Sequence, residues 1–113
     1  MTFLDIQNSM YRQGLLDERK RLTFGVMTSY LGEFSCAAAI KGNTLRIYKS
    51  DASMNIGTLR HEFAICNLTV TKTRTFPLAP IIEFQYAGKR YTLRHFGTPK
   101  EFVAVFMKEN EKG

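Results

Sequence analysis

Residues 81–111, IIEFQYAGKRYTLRHFGTPKEFVAVFMKENE, carry the pattern that decides the fold. In the first part, apolar residues alternate with polar ones on both sides of a short turn: Ile82, Phe84 and Tyr86 before it, Tyr91 and Leu93 after it. A period of two is typical of a strand with one buried face. The turn Ala87-Gly88 suits a tight reversal of the chain, so the stretch predicts a β-hairpin whose apolar faces match.

The length of the hairpin loop decides which side chains meet on the polar face. A two-residue loop at Ala87-Gly88 places Gln85 opposite Arg90, whereas a four-residue loop over 87–90 places Glu83 opposite Arg94. Both alternatives leave the same polar stripe outside the core: Arg90, Thr92 and Arg94 beside Glu83.

The second part of the stretch predicts an amphipathic helix that packs on a sheet. Thr98 suits the N-cap, Pro99 the first helical position, and Glu101 follows three residues after the cap, which completes a capping box. The helix is expected to run to about Glu111. Its apolar side holds Phe102, Val105, Phe106 and Glu109, widened by Val103 and Met107, and its polar side holds Lys108, Asn110 and Lys112.

Five β-rich segments separated by turn residues precede this hairpin. They are predicted at 22–30, 34–40, 44–49, 56–65 and 68–73. The tripeptide Lys41-Gly42-Asn43 connects the second and third segments in a tight hairpin. In the fifth segment, the alternation of residues places Lys72 on the inward-facing side, so Lys72 is expected at the open end of its strand. The fold class is therefore mainly β with α (α+β), with about seven antiparallel strands in a bent sheet or open barrel.

A helix is predicted ahead of the sheet, over residues 1–21. Its apolar residues recur at roughly helical spacing: Phe3, Ile6, Met10, and then Leu15 or Leu16. Such a helix could dock on the domain, pair with another chain or touch a membrane surface, and the acids among its bases favour docking. With 113 residues and 13.0 kDa, the helix and residues 22–113 form one domain.

Two stretches resemble the pleckstrin-homology-like family, including its GRAM-type and bacterial members. Residues 38–50, AAIKGNTLRIYKS, are similar to the family's second and third strands. KRYTL at 89–93, followed by TPKEF at 98–102, is similar to its last strand and capping helix. The resemblance covers residues 22–112 and implies a bent antiparallel sheet capped by a C-terminal helix.

Family members that bind phosphoinositides carry bases at the end of the first strand and the start of the second. Residues 28–36, TSYLGEFSC, contain one acid and no base, and only Lys49 corresponds to a cationic position of that site. Phe102 or Phe106 takes the place of the family's helix tryptophan. The resemblance thus implies the fold and no specific inositol-phosphate site.

Catalysis and metal binding are not indicated by the sequence. His61 and Glu62 are adjacent, so they point to opposite faces of a strand, and His95 has no carboxylate and nucleophile at useful spacing. Cys36 and Cys66 lie in apolar surroundings without metal-ligand spacing, which predicts buried reduced thiols. We expect no enzyme, no cofactor and no metal.

The charge restricts the partners. Sixteen Lys and Arg against ten Asp and Glu give a formal charge of +6, which favours acidic surfaces. Since the bases are spread along the chain, a solvated basic surface explains them as well as a site does. The candidate surface for a ligand or partner consists of Lys49, Lys72, Arg74, Arg90 and Arg94.

Two binding functions follow. The first is a non-enzymatic module for protein interaction or self-association, which captures an extended peptide or a second copy at a sheet edge or beside the C-terminal helix. The second is peripheral attachment to anionic membrane lipids by unspecific attraction, to which the run Arg19-Lys20-Arg21 would add. Nucleic-acid binding is not expected, because most Phe and Tyr residues have core parity and Tyr48 is the main exception.

The location is expected to be cytoplasmic, with contact to a membrane surface as the alternative. The N-terminal residues lack a basic region followed by an apolar run. No stretch approaches the roughly 20 apolar residues that span a bilayer.

Overall fold

The computed structural model describes residues 21–51, 53, 55–75 and 79–112, together with Asp5, Ser9 and Arg12. From Leu22 onward, the described residues form seven strands, a 3-10 turn and one helix: β1 (Leu22–Ser29), β2 (Gly32–Lys41), β3 (Thr44–Ser50), β4 (Ile56–Ala64), the 3-10 turn (Ile65–Asn67), β5 (Thr69–Arg74), β6 (Ile81–Tyr86), β7 (Lys89–Arg94) and α1 (Pro99–Asn110). The helix predicted over residues 1–21 lies outside the described residues apart from four positions.

All seven strands belong to one antiparallel sheet, in the order β4-β3-β2-β1-β7-β6-β5. Consecutive strands of the chain are neighbours in the sheet, with the exception of β4 and β5, which form its two edges. The first and last strands, β1 and β7, also pair with each other. The prediction of a mainly β, α+β chain with seven antiparallel strands and a C-terminal helix is confirmed.

The sheet is strongly curved and is not closed. Phe63 on β4 and Phe84 on β6 have ring centroids 5.3 Å apart, although five strand-to-strand steps separate the two strands. Those steps would span about 24 Å in a flat sheet. At Gly25, where β1 meets β7, an added Cβ would lie 2.7 Å from the carbonyl oxygen of Arg94. The curvature wraps one face of the sheet around the core.

The last hairpin has the two-residue loop. Gln85 lies opposite Arg90 and Glu83 opposite Thr92, so the alternative with a four-residue loop is wrong. Ala87 and Gly88 have φ values of 52° and 77°, which is the left-handed geometry of a type I′ turn.

The helix packs on the core, as predicted. Phe106 and Phe102 are buried, at 0% and 1% exposure. The Phe106 ring lies 6.0 Å from that of Phe84, and the Phe102 ring lies 5.7 Å from that of Phe96. Both aromatic side chains therefore join the helix to the strands, and Glu109 shares their buried side.

Two expectations for the helix are wrong. Thr98 has φ 43° and ψ 52° and makes no side-chain cap bond, because a left-handed backbone does not hold the hydroxyl over the first turn as a capping box requires. Asn110 is not on a polar outer side, since its Nδ2 donates to the carbonyl oxygens of Ile65 and Leu68, 2.9 Å away in each case.

Two expectations for the strands also need correction. β4 ends at Ala64, and Ile65, although buried, begins the 3-10 turn. Lys72 does not face inward, because a register shift between Val70 and Lys72 places it opposite Glu83 on the outer face. One extra residue in a strand reverses the parity of all residues that follow.

A polar latch joins the β2–β3 turn to the 3-10 turn and to the end of α1. Asn43 Nδ2 donates to the carbonyl oxygen of Glu109 at 2.7 Å, and Asn43 Oδ1 accepts from the backbone N–H of Cys66 at 2.9 Å. The Asn43 carbonyl oxygen accepts from the backbone N–H of Ile65 at 2.7 Å. One asparagine thus connects three separate segments.

Glu109 should make stability depend on pH in the acid range. Its carboxylate lies 2.7 Å from Lys112 Nζ, and this hydrogen bond holds the pKa of Glu109 below its ordinary value of 4.5. A depressed pKa stabilises the fold above that value, and the contribution is lost as the pH falls through the folded-state pKa. In urea unfolding, the stability gap between wild type and Glu109→Gln should narrow from neutral pH to about pH 3.

The matched control is Glu111→Gln, an exposed acid at the end of the same helix. It should change stability little at either pH. A gap for Glu109→Gln that is constant over this range would contradict a role of the ionised carboxylate.

Candidate interaction surfaces

Four of the five predicted surface cations share the outer face of β5, β6 and β7. Arg74, Ile81 and Arg94 form one cross-strand row. The next rows place Lys72 by Glu83 and Thr92, and Arg90 by Gln85. Residues directly opposite each other share a face. We call Lys72, Arg74, Arg90 and Arg94 the basic face.

Lys49 does not belong to the basic face. It lies on β3, opposite Cys36 of β2, and several strands separate it from β5 and β6. The five cations predicted from the sequence as one candidate surface therefore lie in two separate places, four on the basic face and Lys49 on β3.

Two members of the basic face are held by neighbours. Arg94 Nη2 donates to Thr28 Oγ1 at 3.0 Å and to Glu33 Oε1 at 3.2 Å, while Arg74 Nε donates to the carbonyl oxygen of Ala79 at 3.0 Å. Lys72 and Arg90 are exposed and form no ion pair with any described residue. These two cations are the ones available to an acidic partner.

Beside the basic face runs the outer edge of β5. This strand has one neighbour, β6, and no other strand of the described chain pairs with it. Its sequence TVTKTR is rich in β-branched residues, and four of its six residues are exposed. Thr71 at the register shift donates to Glu83 Oε1 at 2.9 Å, which engages the acid that lies opposite Lys72.

A second exposed surface lies where the tips of the β1–β2 and β6–β7 hairpins adjoin. Tyr30 and Leu31, the two loop residues of the first hairpin, are 57% and 74% exposed. Lys89 Nζ lies 4.0 Å from the Tyr30 ring centroid, and Tyr86, opposite Lys89, is 41% exposed. We call Tyr30, Leu31, Tyr86 and Lys89 the aromatic tip.

The aromatic tip was not foreseen from the sequence. Tyr86 shares the inner face with Phe84 as expected, and its ring lies 5.4 Å from that of Phe63, but at the end of β6 it is 41% exposed. Tyr48, the aromatic residue expected to be exposed, is half-buried beside Ala37. The available signal was the pair Tyr30-Leu31 in a turn, where polar residues and glycine are usual.

A cleft of about 270 Å³ lies between the β1–β2 hairpin and β4. His61 lines it, and its ring stacks on Phe63 at 5.6 Å and on Phe34 at 6.2 Å. Burial, and after it the nearby charge of Arg60, lowers the pKa of His61. Glu62 faces the other side of the sheet, as predicted, where its carboxylate lies 2.9 Å from Arg46 Nε.

The two cysteines are free, but they differ in burial. Cys36 is buried, and burial raises the pKa of its thiol to about 12. Cys66 is half-buried, so the expectation of a second buried thiol is wrong. Cys66 lies in the 3-10 turn, of whose three residues only Ile65 is buried.

Among the residues that the structure describes, no group of three or more His, Cys, Asp or Glu is placed to hold a metal ion. In the same residues, no helix has the length and apolar character needed to cross a membrane. The chain matches no family model and no curated protein. Its surfaces are therefore the basis for inferring its function.

Proposed function

We propose that the protein is a non-enzymatic binding module that holds an extended, acidic segment of a partner protein along the outer edge of β5. The observation that carries this function is the outer edge of β5, which no other described strand pairs with and which lies directly beside the basic face. An added strand gains main-chain hydrogen bonds from the edge, and its acidic side chains gain attraction from the exposed cations.

The charges favour β5 over β4, the other edge of the sheet. At the β4 edge, Glu62 is paired with Arg46, and the exposed Arg60 has its guanidinium carbon 5.7 Å from the Phe34 ring centroid. At the β5 edge, Lys72 is exposed without an ion pair among the described residues, and Glu83 is engaged by Thr71. An acidic strand therefore meets two exposed cations beside β5, Lys72 and Arg90, and one on β4.

The pleckstrin-homology-like fold is part of the same proposal. Support comes from the seven antiparallel strands, the pairing of β1 with β7, and the C-terminal helix whose Phe102 and Phe106 fill the core. The position of the large apolar residues on α1 fits the replacement of the family's tryptophan by phenylalanine.

The test uses two synthetic peptides of equal length and strand propensity, one alternating Glu with Val and the other alternating Lys with Val. We expect the protein to bind the acidic peptide in fluorescence anisotropy at low salt and to bind it more weakly at high salt. Amide chemical-shift changes should concentrate on β5. Preference for the Lys peptide, or shifts that spare β5, would overturn the proposal.

Charge reversal gives the matched comparison. Lys72→Glu should weaken binding of the acidic peptide by about tenfold, whereas Lys108→Glu, the same change at an exposed position of α1, should leave it nearly unchanged. An equal loss in both variants would mean that only net charge matters. If light scattering shows a dimer, and amide chemical shifts place its interface on β5, the partner is a second copy and an acidic partner protein is excluded.

A second candidate function is attachment to anionic membrane, which the aromatic tip favours. Tyr30 and Leu31 project from a hairpin beside Lys89, and exposed aromatic and apolar side chains next to a base suit the interface of a bilayer. Each base near the surface adds about 1 kcal/mol of attraction.

Sedimentation with vesicles of phosphatidylserine and phosphatidylcholine tests this alternative. Binding should require the anionic lipid, fall at high salt, and decrease in Leu31→Asp more than in Leu59→Asp, an exposed leucine on β4. Selection of one phosphoinositide over phosphatidylserine at equal charge would contradict unspecific attraction.

A further inference from the structure

The acid on the basic face is not paired with the cation opposite it. Glu83 is the only acid of β5, β6 and β7, all of whose residues the structure describes, and it lies opposite Lys72. Opposite charges that face each other across an antiparallel pair are close enough to attract. Nevertheless, no ion pair joins Glu83 to Lys72, and Lys72 is exposed.

The hydroxyl of Thr71 holds the Glu83 carboxylate instead. Thr71 Oγ1 donates to Glu83 Oε1 at 2.9 Å and to the Glu83 carbonyl oxygen at 3.2 Å. A hydroxyl has one hydrogen, so these two acceptors share it, and the shorter distance is the one to the carboxylate. A hydrogen bond to a carboxylate is stronger than one between neutral groups. The carboxylate is therefore oriented toward Thr71.

The register shift in β5 produces this arrangement. Between Val70 and Lys72, β5 holds one residue, Thr71, that has no counterpart in β6. In a regular strand, Lys72 would share the inner face with Val70, two positions earlier. An extra residue re-aims the side chains beside it. The shift thus turns Lys72 outward and also places a hydroxyl next to the acid that Lys72 faces.

We propose that Thr71 is a positioning residue for the outer edge of β5, because its bond to Glu83 keeps Lys72 available to an acidic partner. This inference rests on the proposed function of that edge and adds the residue that makes the edge select an acid. Without the hydroxyl, the Glu83 carboxylate is released to pair with Lys72 and to neutralise it. Arg94 is already neutralised in this way, since its Nη2 lies 3.2 Å from Glu33 Oε1.

Binding of the peptide that alternates Glu with Val, measured by fluorescence anisotropy, tests the role of the hydroxyl. Thr71→Val removes the hydroxyl and keeps the branched shape that suits a strand. It should weaken binding about threefold, which is the effect of an exposed ion pair, whereas Thr71→Ser should bind as wild type does. The matched control, Thr58→Val, makes the same change at an exposed position of β4 and should leave binding unchanged. Amide spectra verify the fold, and Thr71→Ala replaces Thr71→Val if valine disturbs the strand.

A double substitution separates positioning from a direct contact with the peptide. If Thr71 acts through Glu83, Thr71→Val should have no effect once Glu83 is replaced by Gln, since no carboxylate remains to pair with Lys72. The double variant should then bind the acidic peptide as tightly as Glu83→Gln alone. An equal loss of affinity with and without Glu83 would show that Thr71 touches the peptide itself, and the proposal would be wrong.

The availability of Lys72 can also be measured without a peptide. Acetylation by an N-hydroxysuccinimide ester requires the neutral amine, and a neighbouring carboxylate favours the charged form. Mass spectrometry should show that acetylation of Lys72, relative to the exposed Lys108, slows about threefold in Thr71→Val and stays constant in Thr58→Val. An unchanged rate would overturn the role of Thr71 even if the edge binds the acidic peptide. A slower rate in a protein that does not bind the peptide would support the contact between Thr71 and Glu83 and refute only the proposed function of the edge.

Discussion

Replacing Phe106 by Ala should lower the free energy of unfolding by about 3–5 kcal/mol. The Phe106 side chain is 0% exposed and its ring lies 6.0 Å from that of Phe84. Removing it takes away the apolar contact that holds α1 on the sheet and leaves a cavity that the curved strands cannot close. Chemical denaturation, followed by far-UV circular dichroism, measures the loss directly.

The matched control is Lys108→Ala, two positions further along the same helix. Lys108 is exposed, and Ala has high helix propensity, so its stability should change by less than about 0.5 kcal/mol. If Phe106→Ala were as stable as Lys108→Ala, the helix would not be part of the cooperative core. A loss larger than the total stability would appear as an unfolded chain, and Phe106→Leu would then give a smaller, measurable decrease.

The alternation of apolar residues predicted the buried face of the last hairpin well. Phe84 and Leu93 are buried as expected, because parity within a strand is a local property of the backbone. The loop length was left open by the same pattern. The loop length is set by Ala87 and Gly88, which both adopt positive φ. Glycine prefers this conformation, and alanine accepts it when the strands on either side pair.

Features that depend on distant parts of the chain were harder to predict. The prediction that Lys72 faces inward is wrong because the register of β5 against β6 shifts between Val70 and Lys72. The sequence of β5 contains no pattern that indicates this shift. The capping box at Thr98 fails because the chain entering α1 is fixed elsewhere: Thr23 Oγ1 donates to the carbonyl oxygen of Gly97 at 2.8 Å. Tertiary contacts thus override the local preference of a Thr-Pro-x-Glu sequence.

In the candidate site too, some features follow from the local sequence and others depend on distant parts of the chain. That Arg90 and Arg94 share an outward face follows from parity alone. That Arg74 lies in the same cross-strand row as Arg94 requires the β5–β6 register, which passes through Ile81. To predict that Lys49 lies apart from these cations, the order of all strands in the sheet must be known, and no local sequence pattern indicates that order.

Asn43 makes three hydrogen bonds to distant parts of the chain, which no pattern in the sequence indicated. The sequence predicted Asn43 only as part of the hairpin turn Lys41-Gly42-Asn43. In the fold, its side chain accepts from Cys66 and donates to the Glu109 carbonyl oxygen, with both bonds part-buried. Its backbone carbonyl also accepts from Ile65. The latch therefore fixes the C-terminal end of α1 to the corner at which β4 leads into β5.

Asn43→Ala should lower the free energy of unfolding by about 1–3 kcal/mol, because it leaves the part-buried backbone N–H of Cys66 without its partner. The Glu109 carbonyl oxygen loses one bond but still accepts from the backbone N–H of Lys112 at 3.3 Å. Amide hydrogen exchange should also accelerate at Cys66 and near the end of α1, while the centre of the sheet remains protected. The control is Asn67→Ala, an exposed asparagine in the same corner, which should cost less than about 0.5 kcal/mol. Equal losses in the two variants would show that the latch adds nothing beyond the local turn. Fast exchange at Cys66 and at the end of α1 in Asn43→Ala alone would confirm that this one side chain ties the helix to the sheet.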